Sequence, residues 1–267
     1  MKHYPHLVAK LFEPLVLAPQ KFHAICRVLD AHLAGQLPDP DGLAEPEDPE
    51  ILQLNSTAII PVHGVIGKHL DGLEMASGGC DLDTLNGMID VAEANPSVRR
   101  VVFDFRSPGG TVTGVPETAR KIYRMNKETV AYTDSECCSG ALWLAAQCKH
   151  FYATQSAEVG SVGVWTAYID LSRQMANEGE NMQAIFAGQY KLLGAYWKPL
   201  TEDERRIIQT GVDKTYADFK EAMGAQRAVS DANFGNGLVF DGDEAQEMGF
   251  TDGMVDDLDE VLEGLVE

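Results

Sequence analysis

RRVVFDFRSPGGTVTG (residues 99–114) reads as a β-strand, RRVVFDF, running into a loop with two adjacent glycines. Short runs rich in branched and aromatic residues, closed by Pro or Gly, are the mark of buried strands. Comparable runs occur at TAIIPVHGVI (57–66), TVAYTD (129–134), HFYAT (150–154), SVGVW (161–165) and MQAIFAG (182–188). Helical spacing fills the intervals near 81–94, 113–126, 139–148 and 169–178. Strand-then-helix alternation predicts an α/β fold of right-handed βαβ units on a buried, largely parallel sheet. A long amphipathic helix is expected over 202–226, where Ile208, Val212, Tyr216, Phe219 and Met223 step by four, four, three and four. That stripe predicts core or a subunit interface.

Around this centre the chain divides by composition. Residues 1–37 read as an N-terminal helical appendage, for instance around FHAICRVLDAHLAGQ, and residues 38–56 as an acidic, proline-rich linker. Pro38 to Glu50 alone holds four prolines and six carboxylates, too polar to order itself by burial. The main domain is expected over 57–256, followed by an acidic tail, 257–267. With 21 Lys+Arg against 41 Asp+Glu in 267 residues, the net charge of −20 would repel a phosphate backbone, so nucleic acid is not an expected partner. The five cysteines, at 26, 80, 137, 138 and 148, show neither paired CxxC motifs nor regular spacing. Neither a disulfide framework nor a zinc site is expected, and reduced thiols predict a cytoplasmic setting. Pro5, Lys10, Glu13 and Pro14 interrupt the apolar opening, and no stretch reaches the roughly 18 apolar residues of a membrane span, so no anchor is expected.

Three glycine-containing loops stand at ends of predicted strands, where open α/β sheets place their sites. In RSPGGTVTG (106–114), Gly109 and Gly110 can turn backbone N–H groups outward to hold an oxyanion, or can form a plain strand-to-helix turn. In ECCSGALWLAA (136–146), Ser139 opens an apolar helical run. It can be a simple N-cap, or a rigidly held nucleophile beside the free N–H of Gly140. Cys137 and Cys138 next to it have no evident His to generate a thiolate and read as small packing residues. In EVGSVGVW (158–165), Gly160 and Ser161 form either a tight turn or a hydroxyl placed to orient a base.

A serine nucleophile needs a base, and the one histidine downstream, His150, lies beyond the helix at a strand start. Among the lysines that follow, Lys191 stands apart. It lies in FAGQYKLLGAYW (186–197) between Tyr190, Leu192, Leu193, Tyr196 and Trp197. A lysine base must fall from about 10.4 to around 7 or 8, a shift of about 4 kcal/mol that apolar burial can supply. The alternative is a lysine snorkelling from an apolar wall into solvent.

The ordered motifs SPGG, Ser-Gly before an apolar helix, GSVGV and GxYK resemble the signal peptide peptidase A family of Ser-Lys serine peptidases, over about Thr57 to Asp256. The serine and lysine here are 52 residues apart, as in its short, single-repeat members. The resemblance implies a Clp protease/crotonase-like fold of repeated ββα/βαβ units. It implies Ser139 as nucleophile, Lys191 as base, and the N–H groups of Gly110 and Gly140 as oxyanion hole. Ser161, with Gly109, Gly160 and Tyr190, would support the lysine or bind substrate. The opening FEPLVLAP before an acidic linker is similar to the tailed-phage branch, the head maturation or prohead proteases. That branch implies cleavage of scaffold, capsid or portal proteins in the host cytoplasm or inside a prohead, no metal or organic cofactor, and a homo-oligomeric ring or dome in which neighbouring subunits can complete the dyad. Three alternatives stay open: a cytoplasmic bacterial peptidase of the same family, a crotonase-like acyl-CoA enzyme using the same oxyanion geometry, and a catalytically silent assembly module.

Overall fold

The computed structural model describes residues 14–17, 49–76, 78–229 and 234–264. The first half of the chain forms β1 (Leu15–Leu17), β2 (Leu52–Leu54), β3 (Thr57–His63), β4 (Val65–Gly67), α1 (Gly72–Ala76), β5 (Gly79–Asp81) and α2 (Leu82–Ala94). Next come β6 (Arg100–Arg106), β7 (Gly109–Thr111), α3 (Val115–Tyr123), β8 (Glu128–Thr133), β9 (Glu136–Cys138) and α4 (Gly140–Ala145). The remainder is β10 (His150–Ala153), β11 (Glu158–Gly160), α5 (Ser172–Asn177), α6 (Glu202–Gly224), β12 (Val239–Phe240), α7 (Gly242–Met248), β13 (Gly253–Met254) and α8 (Leu258–Gly264).

A six-stranded sheet in the order β13-β10-β8-β6-β3-β2 is parallel throughout except for its edge strand β2. Its long strands are buried on both faces, which is why they read as continuous apolar runs. Ile60, Val62, Phe103, Phe105 and Ala131 face the large core shared with α2, α3 and α4, whereas Ile59, Val102, Val130 and Tyr132 pack under Val261 of α8. The unit repeats: a long strand of this sheet, a short strand of a second layer, then a helix, as in β6-β7-α3 and β8-β9-α4. The short strands pair among themselves as β1-β7-β4-β5 and β12-β11-β9. This ββα winding brings the glycine loops together, because each loop occupies the same place in its unit.

The expected strands at 99–105, 129–134 and 150–154 and the helix at 81–94 form with ends shifted by a residue or two. Two expected strands do not. At 161–165 the strand lies earlier, at Glu158–Gly160, because Ser161 takes a positive φ of 57° that breaks the extended run, and only Trp165 forms an isolated bridge. Residues 182–188 form no strand; Met182, Ile185 and Phe186 are exposed and find no pairing partner among the described residues. The helical appendage expected over 1–37 falls outside the described residues except for 14–17, where a strand stands, and most of the linker at 38–56 is likewise undescribed. The linker's described end holds β2, and α8 lies within the acidic tail.

Helix α6 starts at a capping box. Thr201 Oγ1 accepts from the Glu204 N–H at 3.2 Å, the Thr201 N–H donates to Glu204 Oε2 at 2.9 Å, and Lys198 Nζ donates to Glu204 Oε1 at 2.6 Å. The Lys198 hydrogen bond, with the Thr201 N–H behind it, holds the Glu204 carboxyl below the usual carboxylate range. A carboxyl depressed on folding stabilises the folded state above its unfolded pKa and loses that contribution as pH falls through the folded value. The amide protection factors over 198–205, taken against the intrinsic exchange rate at each pH, are therefore expected to fall on acidification from pH 6 to below about 4, and Glu204→Gln should already show the lower protection at pH 6 with a flat pH profile. An acid response equal in wild type and Glu204→Gln would place its cause elsewhere.

Candidate active site

Ser139 follows β9, which lies parallel to β11 with Cys138 opposite Gly160. Its N–H donates to Gly160 O at 2.8 Å, and its carbonyl accepts the first helical bond from Trp143 N at 2.9 Å. The backbone between these anchors is held at φ 54°, ψ −115°, and the side chain makes no capping hydrogen bond. A non-glycine residue there costs about 1–3 kcal/mol and persists only where its surroundings fix it. The capping alternative is thereby excluded: the hydroxyl sits at the start of α4, and the strand-to-helix bend is as sharp as a nucleophile elbow. Ser139 is 1% exposed.

The SPGG loop comes to the same place. Ser107, fully buried, receives the Cys138 N–H at its carbonyl (3.0 Å), donates its hydroxyl to Gly64 O (2.6 Å) and accepts from Gly109 N (3.2 Å). A Cβ on Gly109, whose φ is 94°, would lie 2.8 Å from Gly140 N, and a Cβ on Gly140 would lie 3.5 Å from Gly110 N. The N–H of Gly140, at the first position of α4, has no carbonyl within the helix to donate to. Backbone N–H groups of two loops thus converge beside Ser139, an arrangement able to stabilise negative charge on a carbonyl oxygen. Ser107 had no role at the sequence level; its only signal was its place before Pro108 in the loop.

The neighbouring thiols are not competitors. Burial pushes the Cys137 thiol well above its ordinary value, and it is fully enclosed; Cys138 is 2% exposed, with its Sγ donating to Glu158 O at 3.5 Å. Desolvation likewise pushes Cys148 up to about 12.

Lys191 is placed differently from the expectation. It lies exposed in a series of turns, its N–H bonded to Gly188 O at 3.0 Å, and its ammonium makes no hydrogen bond or ion pair among the described residues. The apolar enclosure expected from Leu192, Leu193 and Trp197 does not close over it: residues 178–191 are all exposed and belong to no helix or strand. Neither Ser139 nor Ser161 hydrogen-bonds to it. Ser161 instead lies beside Ser139, buried, with its N–H donating to Leu238 O at 2.6 Å. The Tyr190 hydroxyl donates to Asp203 Oδ2 at 2.6 Å, tying the Lys191 turn to the start of α6. One chain therefore assembles Ser139, Gly109, Gly110, Gly140, Gly160 and Ser161, and holds Tyr190 and Lys191 on an exposed arm.

The pattern of peptidase family S49 matches residues 121–266. The chain is 28% identical over 97% of its length to the head-tail preconnector protein GP5 of Enterobacteria phage P21, and 26% identical over 98% of its length to the capsid assembly protease C of Escherichia phage lambda. It spans 57% and 65% of the lengths of those two proteins. Among solved structures, an enoyl-CoA hydratase from Shewanella pealeana superposes with a TM-score of 0.51 at 11% identity, covering 86% of this chain and 77% of that one, a likeness of fold alone. No helix among the described residues is long and apolar enough to cross a membrane.

Proposed function

Because the chain belongs to peptidase family S49, we propose that it is a serine endopeptidase in which Ser139 attacks a peptide carbonyl while the N–H groups of Gly110 and Gly140 hold the oxyanion. The observation that carries this reading is the strained, non-capping conformation of Ser139 beside the Gly109–Gly110 loop. Lys191 takes the serine proton, returns it to the leaving amine and then activates water. Since Lys191 stands exposed and its ammonium has no partner among the described residues, it serves the Ser139 of a neighbouring copy, with the apolar residues Met182, Ile185 and Phe186 of the same arm forming part of the subunit contact. The active form is then a homo-oligomer, and desolvation at that contact gives the lysine the dry setting a base needs. The relatives from phages P21 and lambda support proteins of a capsid under assembly as substrates, met in the host cytoplasm or inside the growing head.

The test is complementation. Wild type should cleave an unfolded protein, and Ser139→Ala and Lys191→Ala should each be inactive. Mixing the two inactive proteins, followed by subunit exchange, should restore activity at roughly a quarter of sites if the dyad forms across a head-to-tail contact. An inactive mixture would place both residues in one chain. Cleavage that survives Ser139→Ala would sink the serine mechanism and favour chemistry that uses the glycine loops alone.

A further inference from the structure

Strand β1 pairs, among the described residues, with segments distant in sequence. Leu15, Val16 and Leu17 pair antiparallel with Thr111, Gly110 and Gly109, and the Val112 N–H donates to Pro14 O at 3.2 Å. On the other edge Leu15 and Trp165 exchange N–H···O bonds of 2.8 and 3.1 Å, and the Trp165 indole N–H donates to Leu17 O at 2.9 Å. The three side chains are 4%, 0% and 4% exposed. A three-residue strand thus lies between β7 and the bridge residue Trp165, bonded along both edges and with all three side chains buried.

Its register against the glycine loops is specific. Hydrogen-bonded pairs recur every second residue in an antiparallel ladder, so with Pro14–Val112 bonded, Val16–Gly110 is the next bonded pair. The Gly110 N–H therefore faces the Val16 carbonyl. A Cβ on Gly109 would stand 2.0 Å from that same oxygen and 2.8 Å from Gly140 N, so only glycine admits the carbonyl at this spot. The Val16 carbonyl oxygen also lies 3.3 Å from a Cβ built on Gly140, and so stands against the backbone of both glycine loops.

We propose that Leu15–Leu17 is a built-in occupant of the substrate groove, a strand of the chain itself that must leave before another chain can enter. The occupant defines what the groove takes: an extended segment with aliphatic side chains at three successive positions, bonded to Gly110 on one edge and to the backbone of Trp165 on the other. This rests on the reading of Gly110 and Gly140 as the oxyanion hole. A tethered strand competes at an effective concentration of order millimolar, which keeps weakly binding proteins out until it is displaced.

The test uses the full chain in an inactive background. A fluorescein-labelled peptide of residues 12–19, FEPLVLAP, is titrated against Ser139→Ala and against Ser139→Ala carrying Val16→Pro. Proline removes the N–H of Val16 and does not fit a central strand, so β1 should vacate the groove. The double variant is expected to bind the peptide at least about tenfold tighter, because the tethered competitor is gone. Equal binding would overturn the proposal. Val16→Asp, which puts a charge in the enclosed site, serves as a second displacing variant should the proline variant fold poorly. In the unaltered protein, the amides of Val16 and Gly110 should exchange well before that of Phe103 in the central sheet; exchange of all three only with global unfolding would also overturn it. A wild-type cut in which water adds its hydroxyl to the Val16 acyl group and its proton to the Leu17 amine, absent from Ser139→Ala, would support occupancy directly. Cleavage of other proteins with unchanged peptide binding would remove the occupant and keep the peptidase. Tight peptide binding without any cleavage would do the reverse.

Discussion

Gly110→Ala is expected to lower the rate of peptide cleavage by about 10²–10³-fold, the size of effect seen when one oxyanion donor is lost. A methyl group there would meet Ile66 O at 1.8 Å, Ile66 C at 2.5 Å and Ile66 N at 2.7 Å, all backbone atoms of β4. No rotamer change relieves such contacts, so β7 must move away from β4 and carry the Gly110 N–H with it. A displacement of about 1 Å at a positioning group is enough to cost about 10²-fold. The same movement should destabilise the fold by about 1–3 kcal/mol, as overpacking does, read as a lower midpoint in thermal unfolding. Gly87→Ala is the control: Gly87 lies in α2 with open space around it, and the change should be neutral or stabilise by up to about 1 kcal/mol through helix propensity. Full activity in Gly110→Ala would remove this loop from the machinery.

The largest loss of stability is expected from Trp143→Ala. Trp143 of α4 stacks on Phe219 of α6, with ring centroids 4.6 Å apart and planes 6° from parallel, and it is 2% exposed. Removing a buried ring of this size costs about 3–5 kcal/mol, set against a typical total stability of about 5–15 kcal/mol. For a domain of this length the midpoint should fall by roughly 10 °C. Trp143→Phe separates packing from polarity. The indole N–H of Trp143 is buried with no acceptor among the described residues, so phenylalanine sheds an unsatisfied donor while keeping most of the stack. It should cost less than about 1.5 kcal/mol. A Phe variant as unstable as the Ala variant would mean that the indole N–H has a partner in solution.

These two sites show where sequence reading held. The core face of α6 was visible in the spacing of Phe219 and Met223, because residues three and four apart share one side of a helix whatever lies opposite. The structure limits that stripe: Phe219 and Met223 are buried, while Ile208 and Val212 nearer the start are only partly covered. The glycine loops were visible because glycine adopts positive φ and admits close backbone approach at the least steric cost. By contrast, 182–188 has the letters of a strand and no pairing partner among the described residues, and strand propensity records a fit to a half-buried surface that another strand must provide.

From the amino-acid sequence alone came the α/β class, the alternation of long strands and helices over 57–154, and the grouping of Ser139, the SPGG loop and Lys191 as candidate chemistry. All of these rest on local rules of periodicity, turn chemistry and motif spacing. Tertiary structure alone decided that Ser139 is strained and does not cap its helix, that Lys191 is exposed and not bonded to it, and that Leu15–Leu17 pairs with the Gly109–Thr111 strand. Each of these depends on which distant segments meet. LVL between Pro14 and Pro19 is too short to announce a strand, and it becomes one because β7 and Trp165, about 95 and 150 residues further along, offer it two unpaired edges.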